Sequence, residues 1–165
     1  MSFKIKNRHR LKTKEIKNLQ NELKNTFETP FFNDKSSVEI GDFEDYKIIF
    51  VDSEPCFFYY KNFIVLTLYG LGIYKLKKNY VVVDMGAVKF VTNGADVMAP
   101  GIIDADKNIK PYQQVWICDE VHKKPLAIGI ALIDGEQMIT GEKGKAINTI
   151  HFVGDRLWNF TAKSI

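Results

Sequence analysis

The sequence predicts an α+β protein of two small domains, an α+β unit over residues 1–78 and a compact β-barrel unit over residues 79–165. Three observations predict it. Apolar residues recur at helical spacing early in the chain, at Ile16, Leu19, Leu23 and Phe27. From Tyr46 onward the pattern changes to short β-rich runs separated by charged or turn-forming residues. A polar stretch, Lys75–Asn79, then divides these runs from a second series of many short strands around one or two small helices, the pattern of a small barrel.

The composition supports cores of this size. The chain has 165 residues, 45% of them hydrophobic, with 12 Phe and 7 Tyr, so extensive disorder is excluded. Cys56 and Cys118 lie in separate apolar runs with no CxxC spacing, which predicts buried free thiols and neither a zinc site nor a disulfide. The longest apolar run, Phe63–Leu68, falls far short of the roughly 20 residues that span a bilayer. The N-terminus carries alternating charge in place of an apolar signal core, so a soluble, cytoplasmic protein is expected.

In the first unit, positions 4, 6, 8, 10, 12 and 14 are all Lys or Arg. On a strand they would form one basic stripe, either a phosphate-binding face or a solvated edge protected by its charges. Thr13 is positioned to cap the helix that follows, and Pro30 to stop it. Strands are expected at Lys47–Val51, Cys56–Tyr60 and Phe63–Tyr69.

In the second unit, Tyr80–Val83 reads as a strand, Asp84 as an N-cap, residues 85–93 as a helix and Gly94 as its left-handed exit. Later strands are expected at Val97–Met98, Gln114–Cys118, Leu126–Ile133, Ala146–Val153 and Leu157–Phe160, with a hairpin connection at Asp119–Pro125 and a short helix after Asp134.

Charge narrows the function. Residues 1–78 carry 14 Lys/Arg against 10 Asp/Glu, and residues 79–165 carry 9 against 10. Nucleic-acid affinity in the second unit must therefore come from local geometry. The segment DMGAVKFVTNGADVMAPGI (84–102) offers such geometry. Met85, Ala87, Val88 and Val91 share the core-facing side of a helical wheel, whereas Gly86, Lys89, Phe90 and Asn93 share the other. A cation, a ring and an amide on one face can meet a phosphate, a base and a sugar. The alternative is that Phe90 packs against the first domain. The run Gly94-Ala95-Asp96-Val97-Met98-Ala99-Pro100-Gly101 then lets a ligand approach main-chain N–H groups, or simply forms a tight turn into a strand.

This segment, together with VWICDEVHKKPLAIGIALI (115–133) and GKAINTIHFVGDRLW (144–158), resembles a PUA domain, over about 80 residues in three separated blocks. LKTKEIKNLQNELKNTF (11–27) and CFFYYKNFIVLTLYGL (56–71) are similar to the pre-PUA domain of the malignant T-cell amplified sequence family, which has small two-domain archaeal relatives. The resemblance implies a pre-PUA α+β domain followed by a PUA pseudo-barrel, and a non-catalytic RNA-binding protein acting in translation. Its expected partners are tRNA or small-subunit ribosomal RNA, the small ribosomal subunit and a translation-factor protein. It places RNA against Lys89, Phe90, the Gly94–Gly101 run and the neighbourhood of Asp155 and Arg156. One departure is Gln113-Gln114 where PUA domains typically carry Gly-Asp, a change confined to a turn.

No catalytic, metal or cofactor site is expected. His9, His122 and His151 lie in a basic stripe, a hairpin and a strand, none at metal-ligand spacing. Gly144-Lys145 lacks the remainder of a phosphate loop. Two other readings stand beside translation, an accessory RNA-binding subunit of a modifying enzyme and a protein-interaction module.

Overall fold

The computed structural model describes residues 3–141 and 143–163 and divides the chain into two compact units, Met1–Lys75 with Phe160–Ile165, and Leu76–Asn159. The first unit has the order β1 (Lys6–Arg10), α1 (Thr13–Phe27), β2 (Val38–Phe43), β3 (Tyr46–Val51), β4 (Glu54–Tyr60), β5 (Phe63–Leu66) and α2 (Leu68–Tyr74). Its five strands form one antiparallel sheet in sequence order. Two-residue turns join the last three strands, with Asp52 and Ser53 at φ 51° and 71° and Lys61 and Asn62 at φ 47° and 69°. Positive φ at both central positions matches the right-handed twist of the paired strands, and in each turn one of the two positions holds the Asp or Asn that adopts it at little cost, Asp52 and Asn62.

Helix α1 buries Leu19, Leu23 and Phe27, as their spacing requires. Its start differs from expectation: Lys12 is the capping position and Thr13 the first helical residue. The side chain of Glu15 supplies the cap by accepting from the Lys12 N–H at 3.0 Å. The chain leaves the helix before Pro30, through Glu28 in the left-handed region.

Two further expectations in this unit are corrected. The basic stripe is not continuous, because Asn7 adopts φ 55° at a bulge in β1 and Lys12 and Lys14 lie outside the strand. Arg8 is occupied by Glu39 at 3.1 Å and by the face of Phe50 at 4.1 Å. The expected strand at 63–69 ends at Leu66, because Thr67 caps α2. Its buried hydroxyl accepts from Gly70 N–H at 2.8 Å. A Cβ at position 70 would stand 2.2 Å from the Cys56 carbonyl oxygen, so only glycine lets α2 lie this close to β4. Phe160 belongs to this unit and stacks on Phe43, with ring centroids 4.4 Å apart.

The second unit runs β6 (Tyr80–Val83), α3 (Met85–Val91), β7 (Val97–Met98), a 3-10 turn (Ala99–Gly101), β8 (Ile102–Ala105), β9 (Gln114–Asp119), β10 (Pro125–Ala131), α4 (Gly135–Thr140) and β11 (Lys145–Phe152), and ends in the first turn of α5 (Arg156–Lys163), whose residues from Phe160 on belong to the first unit. The six strands lie in the order β7-β11-β10-β9-β6-β8, and the β6–β9 pair is parallel. The sheet curls into a nearly closed barrel around Val81, Val83, Val97, Ile117, Ala127 and Ile147, with Met138 of α4 and Val91 of α3 completing the core. Residues 157–160, expected as a strand, are helical. Leu157, Phe160 and Thr161 are buried whereas Arg156 and Asn159 are exposed, a helical period that a four-residue apolar run does not reveal.

Candidate nucleic-acid interface

Helix α3 starts where the sequence places it. The Asp84 carboxylate accepts from Ala87 N–H at 2.8 Å, and Asp84 N–H donates to the Gly101 carbonyl at 3.0 Å, which ties the helix start to the end of the 3-10 turn. Val91 is buried, and Ala87 and Val88 pack against the barrel core. Met85, expected to face inward, is 45% exposed, because a helix of only seven residues turns its first residue past the edge of the core. Lys89, Phe90 and Asn93 are exposed. Phe90 is 58% exposed, and the Lys89 ammonium stands 5.7 Å from its ring centroid. Cation and ring therefore form one surface feature.

The exit from α3 closes on itself. Asn93 and Ala95 both donate main-chain N–H groups to the Phe90 carbonyl, at 3.1 and 3.0 Å, and Gly94 donates to Val91 at 3.0 Å. Gly94 adopts φ 87°, and a Cβ there would lie 2.7 Å from the ring of Phe152 on β11. Position 94 thus requires glycine twice over, for its backbone region and for the ring beside it. Ala99 N–H donates to the Gly144 carbonyl at 2.9 Å. The expectation that this run presents open main-chain donors is accordingly corrected at Gly94, Ala95 and Ala99, whose N–H groups are used inside the fold.

What the run provides is a cavity. Gly86, Ala87 and Phe90 of the helix face Asp96, Val97 and Met98 across about 350 Å³. Small residues keep it open, since a Cβ on Gly101 would come within 3.3 Å of the Ala87 Cβ. The exposed Phe90 and Met98 side chains supply aromatic and thioether surface to its lining. Asp96 contributes a carboxylate whose position is fixed. It accepts from Thr149 N–H at 2.9 Å and pairs with Lys145 at 2.8 Å. Burial opposes its charge, but the hydrogen bonds from Lys145 and the Thr149 amide outweigh that and hold it below the ordinary carboxylate range. Thr149 also donates its hydroxyl to the Ala95 carbonyl at 2.9 Å. Lys145, which the sequence offers either as a flank of the RNA path or as part of a charged loop, and Thr149 and Phe152, which it does not place here, all lie on β11. The β7–β11 pairing of Met98 with Lys145 and Val97 with Ile147 brings them in.

Asp155 is largely turned inward. Its carboxylate accepts from Trp158 N–H at 2.7 Å, Phe152 N–H at 2.9 Å and the His151 ring at 2.8 Å, and so caps α5. Burial raises its pKa, and the His151 contacts and the two amides more than reverse this, leaving the carboxylate below its ordinary value. Arg156, the next residue, is exposed. Elsewhere, burial pushes the Cys56 and Cys118 thiols up to about 11, as befits inert core cysteines. Among the described residues no three His, Cys, Asp or Glu side chains are grouped to hold a metal, and no helix is long and apolar enough to cross a membrane.

Comparison with known proteins defines the class. Residues 79–153 match the PUA domain and residues 7–72 match a domain of unknown function, DUF1947, so the chain is a PUA-domain protein with a distinct unit before the barrel. An uncharacterized protein of Methanocaldococcus jannaschii is 47% identical over 160 residues, covering 96% of this chain and 99% of its own. Translation machinery-associated protein 20 of Saccharomyces cerevisiae is 35% identical, covering 78% of this chain and 75% of its own, and Malignant T-cell-amplified sequence 1 of Rattus norvegicus is 30% identical, covering 94% and 91%. A hypothetical protein from Pyrococcus horikoshii has the same architecture, with a TM-score of 0.84 and 36% identity over 93% of this chain and 99% of its own. The chain belongs to the family of these translation machinery-associated and malignant T-cell-amplified sequence proteins.

Proposed function

We propose that this chain is a non-catalytic RNA-binding protein of the cytoplasm that acts in translation, through a pre-PUA domain at 1–78 and a PUA domain at 79–165. In this reading it binds tRNA or small-subunit ribosomal RNA, in company with the small ribosomal subunit and a translation-factor protein. The name of its yeast relative, translation machinery-associated protein 20, supports the translational setting. The observation that carries the reading is the exposed Lys89–Phe90 pair beside the cavity that α3 shares with Asp96, Val97 and Met98.

The proposed RNA path takes an unpaired base onto the Phe90 ring, its phosphate toward Lys89, and the neighbouring strand past Asn93, the 94–101 run and Arg156. Asp96 and Asp155 hold that surface in place through Lys145, Thr149 and the start of α5. Recognition by stacking and local cations suits a unit whose overall field is close to neutral. The test is Lys89→Glu, measured by fluorescence anisotropy with tRNA and with a small-subunit RNA fragment over a range of salt. The expected result is weaker binding with a salt slope reduced by about one. Unchanged affinity at every salt concentration, with the fold intact, overturns the assignment.

A further inference from the structure

A second cavity of the barrel unit shares no residue with the α3 surface. It lies on the outer side of the β8-β6-β9 part of the sheet. Val81, Val83 and Ile117 point into the barrel core, so their strand neighbours Val82, Trp116 and Cys118 point the other way. Val82 and Cys118 contribute apolar lining, each 2% exposed. Tyr80 and Trp116 add aromatic walls, with ring centroids 6.4 Å apart and planes inclined at 60°. The two rings thus stand at an angle to each other and form a corner in the lining. Two cationic residues, Lys77 and Lys123, and one acidic residue, Asp104, complete the lining.

These walls are held before any ligand arrives. The Trp116 indole N–H donates to the Lys78 carbonyl at 2.8 Å. Asn79, at φ 62°, fixes the adjoining backbone by donating its side-chain amide to the Gln114 carbonyl at 3.0 Å while its own carbonyl accepts from Trp116 N–H at 3.0 Å. Lys123 sits in the left-handed region at φ 55°, between two residues whose N–H groups both donate to the buried Asp119 carboxylate: His122 at 2.8 Å and Lys124 at 2.7 Å. A non-glycine residue kept in that region by a buried clamp is a preorganised position.

We propose that this cavity is a second RNA site that takes one unpaired nucleotide, its base in the Tyr80–Trp116 corner and its phosphate against Lys77 and Lys123. The volume, about 300 Å³, lies at the small end of the ~300–1,000 Å³ range of ligand pockets and suits one nucleotide better than a peptide segment. Two cations against one carboxylate favour an anionic guest. Asp104 accepts hydrogen bonds but cannot donate them, so a ribose 2′-hydroxyl is the group it favours, and RNA should be preferred to DNA. The inference goes beyond the α3 reading and does not depend on it.

The test uses the whole chain and an eight-residue oligoadenylate, as RNA and as DNA. Addition of the RNA should shift the Trp116 indole N–H resonance in the wild type and equally in Lys89→Glu, with a smaller effect from the DNA. Lys123→Glu, at an exposed position that leaves the fold alone, should reduce RNA affinity and lower the salt slope by about one. Trp116→Leu should weaken RNA binding by roughly five- to a hundredfold. An indole resonance that RNA does not move, or a Lys123→Glu affinity within about twofold of wild type at low salt, overturns the proposal. Trp116→Leu that retains RNA but loses a translation-factor protein makes the cavity a protein-docking site and likewise overturns it.

Discussion

Phe90→Ala separates a ring that binds from a ring that packs. The side chain is 58% exposed, so a little over two-fifths of it is covered by the chain itself. Taking a phenylalanine as about 200 Å² of surface, some 80 Å² is covered, worth at most about 2 kcal/mol at ~25 cal/mol per Å². A compact unfolded state reduces that figure by roughly 10–40%, and alanine regains about 0.5 kcal/mol of helix propensity. The net loss of folding stability should be near 1 kcal/mol, a fall in Tm of about 2–4 °C for a chain of this size. Base stacking is worth roughly 1–3 kcal/mol per ring, so RNA affinity should fall about 5- to 150-fold. Thermal unfolding by circular dichroism and anisotropy with tRNA, made on one preparation, give both numbers. Phe90→Tyr, which keeps the ring, should bind nearly as well as wild type. A Phe90→Ala protein that binds RNA like the wild type refutes the stacking role, whatever its Tm.

Gly94→Ala should cost stability through two terms, about 1–3 kcal/mol for a non-glycine residue at φ 87° and a further amount because the new methyl meets the Phe152 ring. Denaturant unfolding measures the sum, and an unchanged midpoint would contradict the geometry of the exit turn. Asp96 and Asp155 both have folded pKa values below their ordinary value of 3.8. Their contributions are fully present above the unfolded pKa and are lost as pH falls through the folded pKa. Tm should therefore decline as pH drops below about 4, and Asp155→Asn should flatten part of that decline. A variant with the acid limb of the wild type would show that Asp155 is not the linked group.

The fold was legible where local chemistry and periodicity agree. Asp84 followed by apolar residues at helical spacing and a glycine reads as a capped helix in any context, and α3 forms there, ending at Val91 with Thr92 as its C-cap, two residues short of the expected 85–93. Leu19, Leu23 and Phe27 state the buried stripe of α1 in the same way. Legibility failed where tertiary contacts decide. The run from Leu68 contains two glycines and a tyrosine pair, a poor helix by propensity, yet Thr67 and the approach of Gly70 to Cys56 make it one. Leu157–Phe160 is too short for its period to be read, and the cap at Asp155 that decides it is itself held by His151. Strands β2 and β8 escaped notice because Gly41 and Asp104 interrupt their apolar pattern. In the candidate site, the helix face and the cavity segment were visible because they are contiguous in sequence. Thr149 and Phe152 were not, because strand pairing alone brings them beside residues some fifty positions earlier.

Strands β7 and β8 stand at opposite margins of the six-stranded sheet, yet only Ala99–Gly101 separates them along the chain. So short a tether forces the two margins to meet, and the cylinder is shut by covalent linkage where cross-strand pairing stops. Met98 and Gly101, at either side of this clasp, also line the α3 cavity. A guest that grips the cavity must therefore tighten the clasp as well, so occupancy should be read out as slower amide exchange at both margins together.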